Sequence, residues 1–288
     1  MRKFGFLMAL LAVIFGIGGA LLRAQELETV FDPVSGLAAQ GAPISFALIG
    51  ISVLTVGTLF ALSFGVQRMR VGSFADAFGR STAARVLLVL AGLTATGFSA
   101  LEILSPTEMG ALETVRVLVA MVSGVIGLVL MAALGTKGNR AAIAAVVPVF
   151  WLCLWLVSAH VGDQAANPVL LSYVYQLFAL AALLLSFYYI AGYAFLQERP
   201  GRLMFSSSTA VYFTLVTLPD NWSTPQRAVL LALAITVLVY QLALCNRPAQ
   251  TSTAPSTHVE SWANTSDAEA EAYRDEGLWH PDQGRLDA

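Results

Sequence analysis

The sequence predicts an all-α fold, a polytopic integral membrane helical bundle of about eight transmembrane helices, on three observations. First, 57% of the 288 residues are hydrophobic and only 12% are charged, about half of the roughly 25% that a soluble domain carries. The polar surface needed to cover a water-soluble fold of this size is missing. Second, the apolar residues fall in blocks of about twenty, the length that crosses about 30 Å of hydrocarbon at 1.5 Å per residue. The blocks are continuously apolar rather than alternating, which excludes a β-barrel and leaves helices as the way to satisfy every backbone N–H and C=O in lipid. Third, lysine and arginine collect in every second break between blocks.

In chain order the spans are placed at Phe4–Leu22, Ile44–Phe64, Val86–Leu104, Val115–Leu134, Ala142–His160, Val169–Leu196, Leu203–Leu218 and Ala228–Cys245. Asp32-Pro33, Gly41-Ala42-Pro43, Ser105-Pro106, Pro168, Pro200-Gly201 and Pro219-Asp220 separate them, and each is punctuation that ends a helix at the interface. The sixth block is long enough to tilt or to extend past the membrane. The seventh is the shortest and most polar, opening with Ser206-Ser207-Ser208-Thr209.

One side of the zigzag holds Arg2, Lys3, Arg68, Arg70, Arg80, Arg85, Lys137, Arg140, Arg199, Arg202 and Arg247; the other holds Arg23, Arg116 and Arg227. Eleven against three places both termini on the cytoplasmic side of a cell membrane, bacterial inner or plasma. Met1-Arg2-Lys3 and the small Ala24 also fit a signal peptide, but the long apolar run and Arg23 favour a retained first helix. Residues 1–246 form the transmembrane bundle. Residues 247–288 are rich in Ser, Thr, Pro, Ala, Asp and Glu with almost no aliphatic side chains. Such a segment buries too little apolar surface to offset its ordering entropy, so a disordered cytoplasmic tail is expected.

The net charge of −2 gives no sign of nucleic-acid binding, and Cys153 and Cys245 lie at different depths, so they form no disulfide and read as packing residues. No span carries an ionisable residue near its centre. Glu102, about one turn from the end of the third span, is the deepest. That pattern argues against proton-coupled antiport, charge pumping and voltage sensing. No His-Glu-x-x-His, paired intramembrane aspartates or Gly-x-Ser-x-Gly elbow occurs, and Gly135-Thr136-Lys137-Gly138 lacks the spacing of a phosphate loop. No catalytic residue, cofactor or metal is assigned.

The remaining polar groups give weak ligand-contact candidates: Glu102, His160, Asp163, Gln176, Ser207, Asp220 and Gln241. Glu26, Glu28, Asp32, Glu108, Glu113, Asp163 and Asp220 make the outer face acidic, and His160 and Asp163 share a helical face if the fifth helix continues. That face reads either as a vestibule for cations or as the acidity left when basic residues are held inside. Gln176 and Gln241, with the tyrosines of the sixth and eighth spans, read either as the lining of an uncharged site or as hydrogen bonds between helices. Trp151, Trp155 and Trp222 are assigned in part to an interfacial aromatic belt. Gly16 with Ala20, Gly92 with Gly97 and Gly124 with Gly127 mark close helix–helix approach.

The first outer loop, Phe31-Asp32-Pro33-Val34-Ser35-Gly36-Leu37 followed by Gly41-Ala42-Pro43, resembles a loop in uncharacterised multi-pass membrane proteins of clostridial gut bacteria. The resemblance covers about fifteen residues and the hydropathy pattern, and it implies a multi-pass protein without implying an activity. The expected function is a non-enzymatic structural, regulatory or accessory membrane component. The alternatives are a small permease for an uncharged or zwitterionic solute and, less favoured, an intramembrane enzyme. The expected partners are the lipid bilayer and proteins that pack on helices or dock on the tail.

Overall fold

Among the described residues, proline opens three helices. Pro43 is the first residue of one, and Pro200 and Pro225 sit in the first turns of two later ones, where a missing N–H costs nothing and the fixed φ is already helical. Gly41, at φ 78°, supplies the left-handed turn just before Pro43 that a side chain would resist.

The computed structural model describes residues 2–31, 41–66, 86, 89–90, 92–97, 100–101, 118–119, 121–129, 139–161, 173–195, 197, 199–220, 222 and 224–246. Six helices are complete: α1 Arg2–Thr29, α2 Pro43–Phe64, α3 Asn139–Val161, α4 Val174–Ala194, α5 Pro200–Val216 and α6 Thr224–Cys245. No strand occurs among the described residues. Residues 92–97 and 121–129, inside the third and fourth expected spans, are also helical. They approach closely: the Thr96 hydroxyl donates to the carbonyls of Gly92 (2.8 Å) and Gly124 (3.3 Å). A Cβ on Gly127 would lie 2.6 Å from the Gly92 carbonyl oxygen, whereas Gly97 meets nothing within 4 Å and makes no such contact.

Four helical segments are long and apolar enough to cross a membrane: Lys3–Thr29, Pro43–Phe64, Val174–Ala194 and Gln226–Cys245. Of the eight spans expected from hydropathy, four are thus long and apolar enough among the described residues. α3 has a shorter apolar stretch, Val146–Val157, and α5 has 17 residues, about 26 Å at 1.5 Å per residue.

α5 is the centre. It packs against α1, α2, α4 and α6, while α3 is held through α4. Fourteen of its 17 residues are buried. α1 touches it with a face of small residues, Gly5, Ala12, Gly16 and Gly19. A Cβ on Gly16 would stand 2.7 Å from Leu215 Cδ1, and one on Gly19 2.7 Å from Val216 Cγ2. The opposite face of α1, Leu7, Leu10, Ile14, Ile17 and Leu21, is exposed, as an apolar face is when lipid covers it.

Contacts at the helix ends fix the directions. Gly5 adjoins Cys245 and Met204, and Gly65 adjoins Phe4, so the start of α1 meets the ends of α2 and α6 and the start of α5. Arg23 at the other end of α1 meets Asp220 and Tyr175. α1 and α5 run one way, and α2, α4 and α6 run the other. Trp155, in the second half of α3, reaches Trp222 at 6.0 Å, so α3 runs with α1.

Several expectations change. α1 continues to Thr29 instead of ending at Leu22, because Arg23 and Glu26 are paired and buried on its inner face, and charge stops a hydropathy reading before it stops a helix. Trp151, Trp155 and Trp222 are buried against one another rather than spread in a belt. Cys153 is exposed on the bundle surface, so of the two cysteines only Cys245 packs inside. The first outer loop from 32 to 40, residues 135–138 and the tail 247–288 lie outside the described residues.

Candidate functional site

Buried polar side chains lie along the whole bundle, but the two most connected groups sit at its two ends, and α5 contributes to both. At the end where α1 begins, Gln241 of α6 reaches across to α5 and α1. Its Oε1 accepts from the hydroxyls of Ser207 (2.8 Å) and Ser208 (3.1 Å), and its Nε2 donates to the Gly5 carbonyl (3.1 Å) and Ser208 Oγ (2.9 Å). The amide thus bridges three helices. Gln241, Ser207 and Ser208 are all fully buried. Further along, the hydroxyls of Ser52 on α2 and Tyr212 on α5 share a hydrogen bond of 2.8 Å.

At the far end lies a buried ion cluster. Arg23, 1% exposed, donates from Nε to Asp220 Oδ1 (2.8 Å) and from Nη1 to Glu26 Oε2 (2.7 Å). Two rings attend the guanidinium, Tyr175 of α4 at 5.1 Å and Phe31 at 5.5 Å, an arrangement favoured by the negative ring face. Asp220, 2% exposed, accepts from the Thr217 hydroxyl at 2.7 Å. Thr217 closes α5 with its N–H on the Phe213 carbonyl (3.0 Å), and both its oxygens take the Trp222 indole N–H at 3.1 Å. Arg227 donates to the Asp220 main-chain carbonyl at 3.0 Å.

Burial pushes the Asp220 carboxyl above the usual carboxylate range. Arg23, the Thr217 hydroxyl and the Gln176 amide favour its charged form and offset that in part. Among the described residues, one guanidinium thus faces two buried carboxylates.

The structure brings the sequence candidates together in two pairs. Gln176 and Asp220 belong to the ion cluster, and Ser207 and Gln241 bond directly. It does not bring the pairs to one another. Asp220 and Glu26 leave the exposed acidic face to which the sequence assigned them, since both are buried on Arg23. Glu28 is exposed. Glu102 and Asp163 lie outside the described residues, and for His160 only the helical backbone is described. Arg23 and Glu26 were not chosen as candidates, although an available signal marked them: opposite charges three residues apart, directly after an apolar block.

Among the described residues no group of three His, Cys, Asp or Glu side chains is placed to hold a metal. Thr209 Oγ1 and Thr214 Oγ1 on α5 and Trp151 Nε1 on α3 are buried polar atoms with no hydrogen-bond partner among the described residues. No protein-family model, curated protein or solved structure matches the chain.

Proposed function

We propose that the chain is an eight-span membrane protein with both ends in the cytoplasm, acting as a non-enzymatic structural, regulatory or accessory component. One observation carries this reading: the strongest buried polar groups bond to one another across helices. Gln241 bonds across to Ser207, Ser208 and Gly5, and Arg23 bonds across to Asp220, with Glu26 of its own helix as a second partner. A side chain committed to a neighbouring helix fixes the bundle and is not presented to a solute. The packing of α1 along α5, with Gly16 and Gly19 in close contact, supports a first helix that stays with the protein. Arg23 also adds no free positive charge to its side, because two carboxylates neutralise it, which sharpens the charge asymmetry between the two faces.

Intact-mass measurement of the membrane-extracted chain is expected to show residues 1–24 retained. Cross-linking in native membranes is expected to capture a defined protein neighbour. If purified protein in proteoliposomes accelerates uptake of neutral or zwitterionic solutes above protein-free vesicles, the accessory reading fails.

That outcome would favour the permease, the second reading. It is supported by the Thr209 and Thr214 hydroxyls, which are buried on the central helix without hydrogen-bond partners among the described residues.

A further inference from the structure

The ion cluster is positioned to do more than hold helices together. It lies where five segments meet: the end of α1 (Arg23, Glu26), Phe31 two residues beyond it, the start of α4 (Tyr175, Gln176), the end of α5 (Thr217) and the turn into α6 with its first residues (Asp220, Trp222, Arg227). Among the described residues one guanidinium is shared by two buried carboxylates, so the cluster holds one acid more than it holds cations. Arg227 is exposed and bonds the Asp220 carbonyl rather than the carboxylate, so it compensates only through the rim. A surplus buried negative charge is costly, and uptake of one proton removes it.

We propose that Arg23, Glu26 and Asp220 form a proton-operated switch, in which Asp220 takes up one proton from the medium at that end and turns over its hydrogen bond with Thr217.

The geometry selects Asp220 as the acceptor. It is the more buried of the two carboxylates, and its Oδ2 already sits 2.7 Å from a hydroxyl able to donate or accept. In the charged state Thr217 donates to Asp220. In the protonated state the new O–H of Asp220 donates to Thr217 Oγ1, and Arg23 keeps its ion pair with Glu26. Thr217 is the capping residue of α5 and also holds the Trp222 indole. The proton state of the cluster is thereby passed to the end of the central helix and to an indole that reports it. In the orientation proposed above, the proton comes from outside the cell.

The test uses the full chain in lipid nanodiscs, titrated from neutral to acidic pH. Beside the bands of the exposed carboxylates, infrared difference spectra are expected to show a protonated-carboxyl band whose growth shares its midpoint with a Trp222 fluorescence change that Trp222→Phe removes. Asp220→Asn is expected to abolish the band. Glu26→Gln is expected to keep it and lower its midpoint, because Arg23 then serves Asp220 alone. Thr217→Val removes a donor to the charged form and is expected to raise the midpoint, which preserves the test if Asp220→Asn does not fold. Loss of the band in Glu26→Gln, a Thr217→Val midpoint that does not rise, a band without a coincident Trp222 signal, or no band at all would each overturn the proposal.

Discussion

α2 and α5 touch each other and have opposite relations to their surroundings. α2 buries a single stripe, Leu48, Ser52, Thr55, Leu59 and Ser63, and exposes Phe46, Val53, Leu54 and Phe60. α5 buries nearly its whole circumference, including Ser206, Ser207, Ser208, Thr209 and Thr214. Three of the five buried residues of α2 are hydroxyl-bearing. In both helices, then, hydroxyls line the buried side, Thr58 of α2 being an exposed exception that bonds the Leu54 carbonyl, and the open faces are mostly apolar. In water the sorting is reversed, because burial of apolar surface drives the fold. In lipid the tails are as apolar as leucine, and helices associate through close packing and hydrogen bonds. The most hydrophobic helix is therefore the least covered, and the most polar is the keystone.

The sharpest way to break this contrast is at the end of α1. Arg23→Leu leaves Asp220 and Glu26 as buried charges without a cation, and removing one partner of a buried pair costs about 3–5 kcal/mol. The variant is expected to lose most of its folded yield, and thermal unfolding in detergent measures this. Partial recovery by adding Asp220→Asn would show that the uncompensated charge, not the lost volume, is responsible.

The next effect distinguishes the two faces of one helix. Gly19→Leu drives a side chain into Val216 and is expected to destabilise by about 1–3 kcal/mol. Gly18→Leu, where nothing lies within 4 Å, is expected to stay within about 0.5 kcal/mol. Equal melting temperatures for the two would remove the α1–α5 contact from the account.

At the other end of α5, Gln241→Leu is expected to cost about 1 kcal/mol, the usual scale of a polar contact between membrane helices. The smallest change belongs to α2: Val53→Leu faces outward and is expected to leave the melting temperature unmoved.

Acidity adds a signed prediction. Because burial raises the Asp220 pKa above its ordinary 3.8, the folded state binds this proton more tightly than the unfolded chain. The resulting stability is fully present below the ordinary value and fades as pH rises through the raised one. The stability of the wild type relative to Asp220→Asn is expected to fall over that window, as urea unfolding at stepped pH would show.

Hydropathy made the helices legible because apolar length is set by the bilayer and needs no partner. α2 was placed to within a residue at its start and matched at its end, since Pro43 and Phe64 bound a uniformly greasy stretch. The extension of α1 to Thr29 was not legible in that signal. Arg23 is tolerated inside because Asp220 meets it, and a partner almost two hundred residues away leaves no local mark. The same holds for the site. Gln176, Ser207, Asp220 and Gln241 stood out as polar groups in apolar surroundings, but which of them meet depends on helix rotation and order. The three tryptophans were misread for this reason too: interfacial depth is visible along the chain, and inward direction is not.

The separation of Arg23 from Asp220 by 197 residues also sets a schedule for biogenesis. At roughly 5–20 residues per second, the ribosome needs about 10–40 s after making Arg23 to deliver its distant counter-ion. During that wait Glu26, one helical turn away, is the anion within reach. The nascent first helix carries its own temporary neutraliser, and the final clamp forms only when the last two helices arrive.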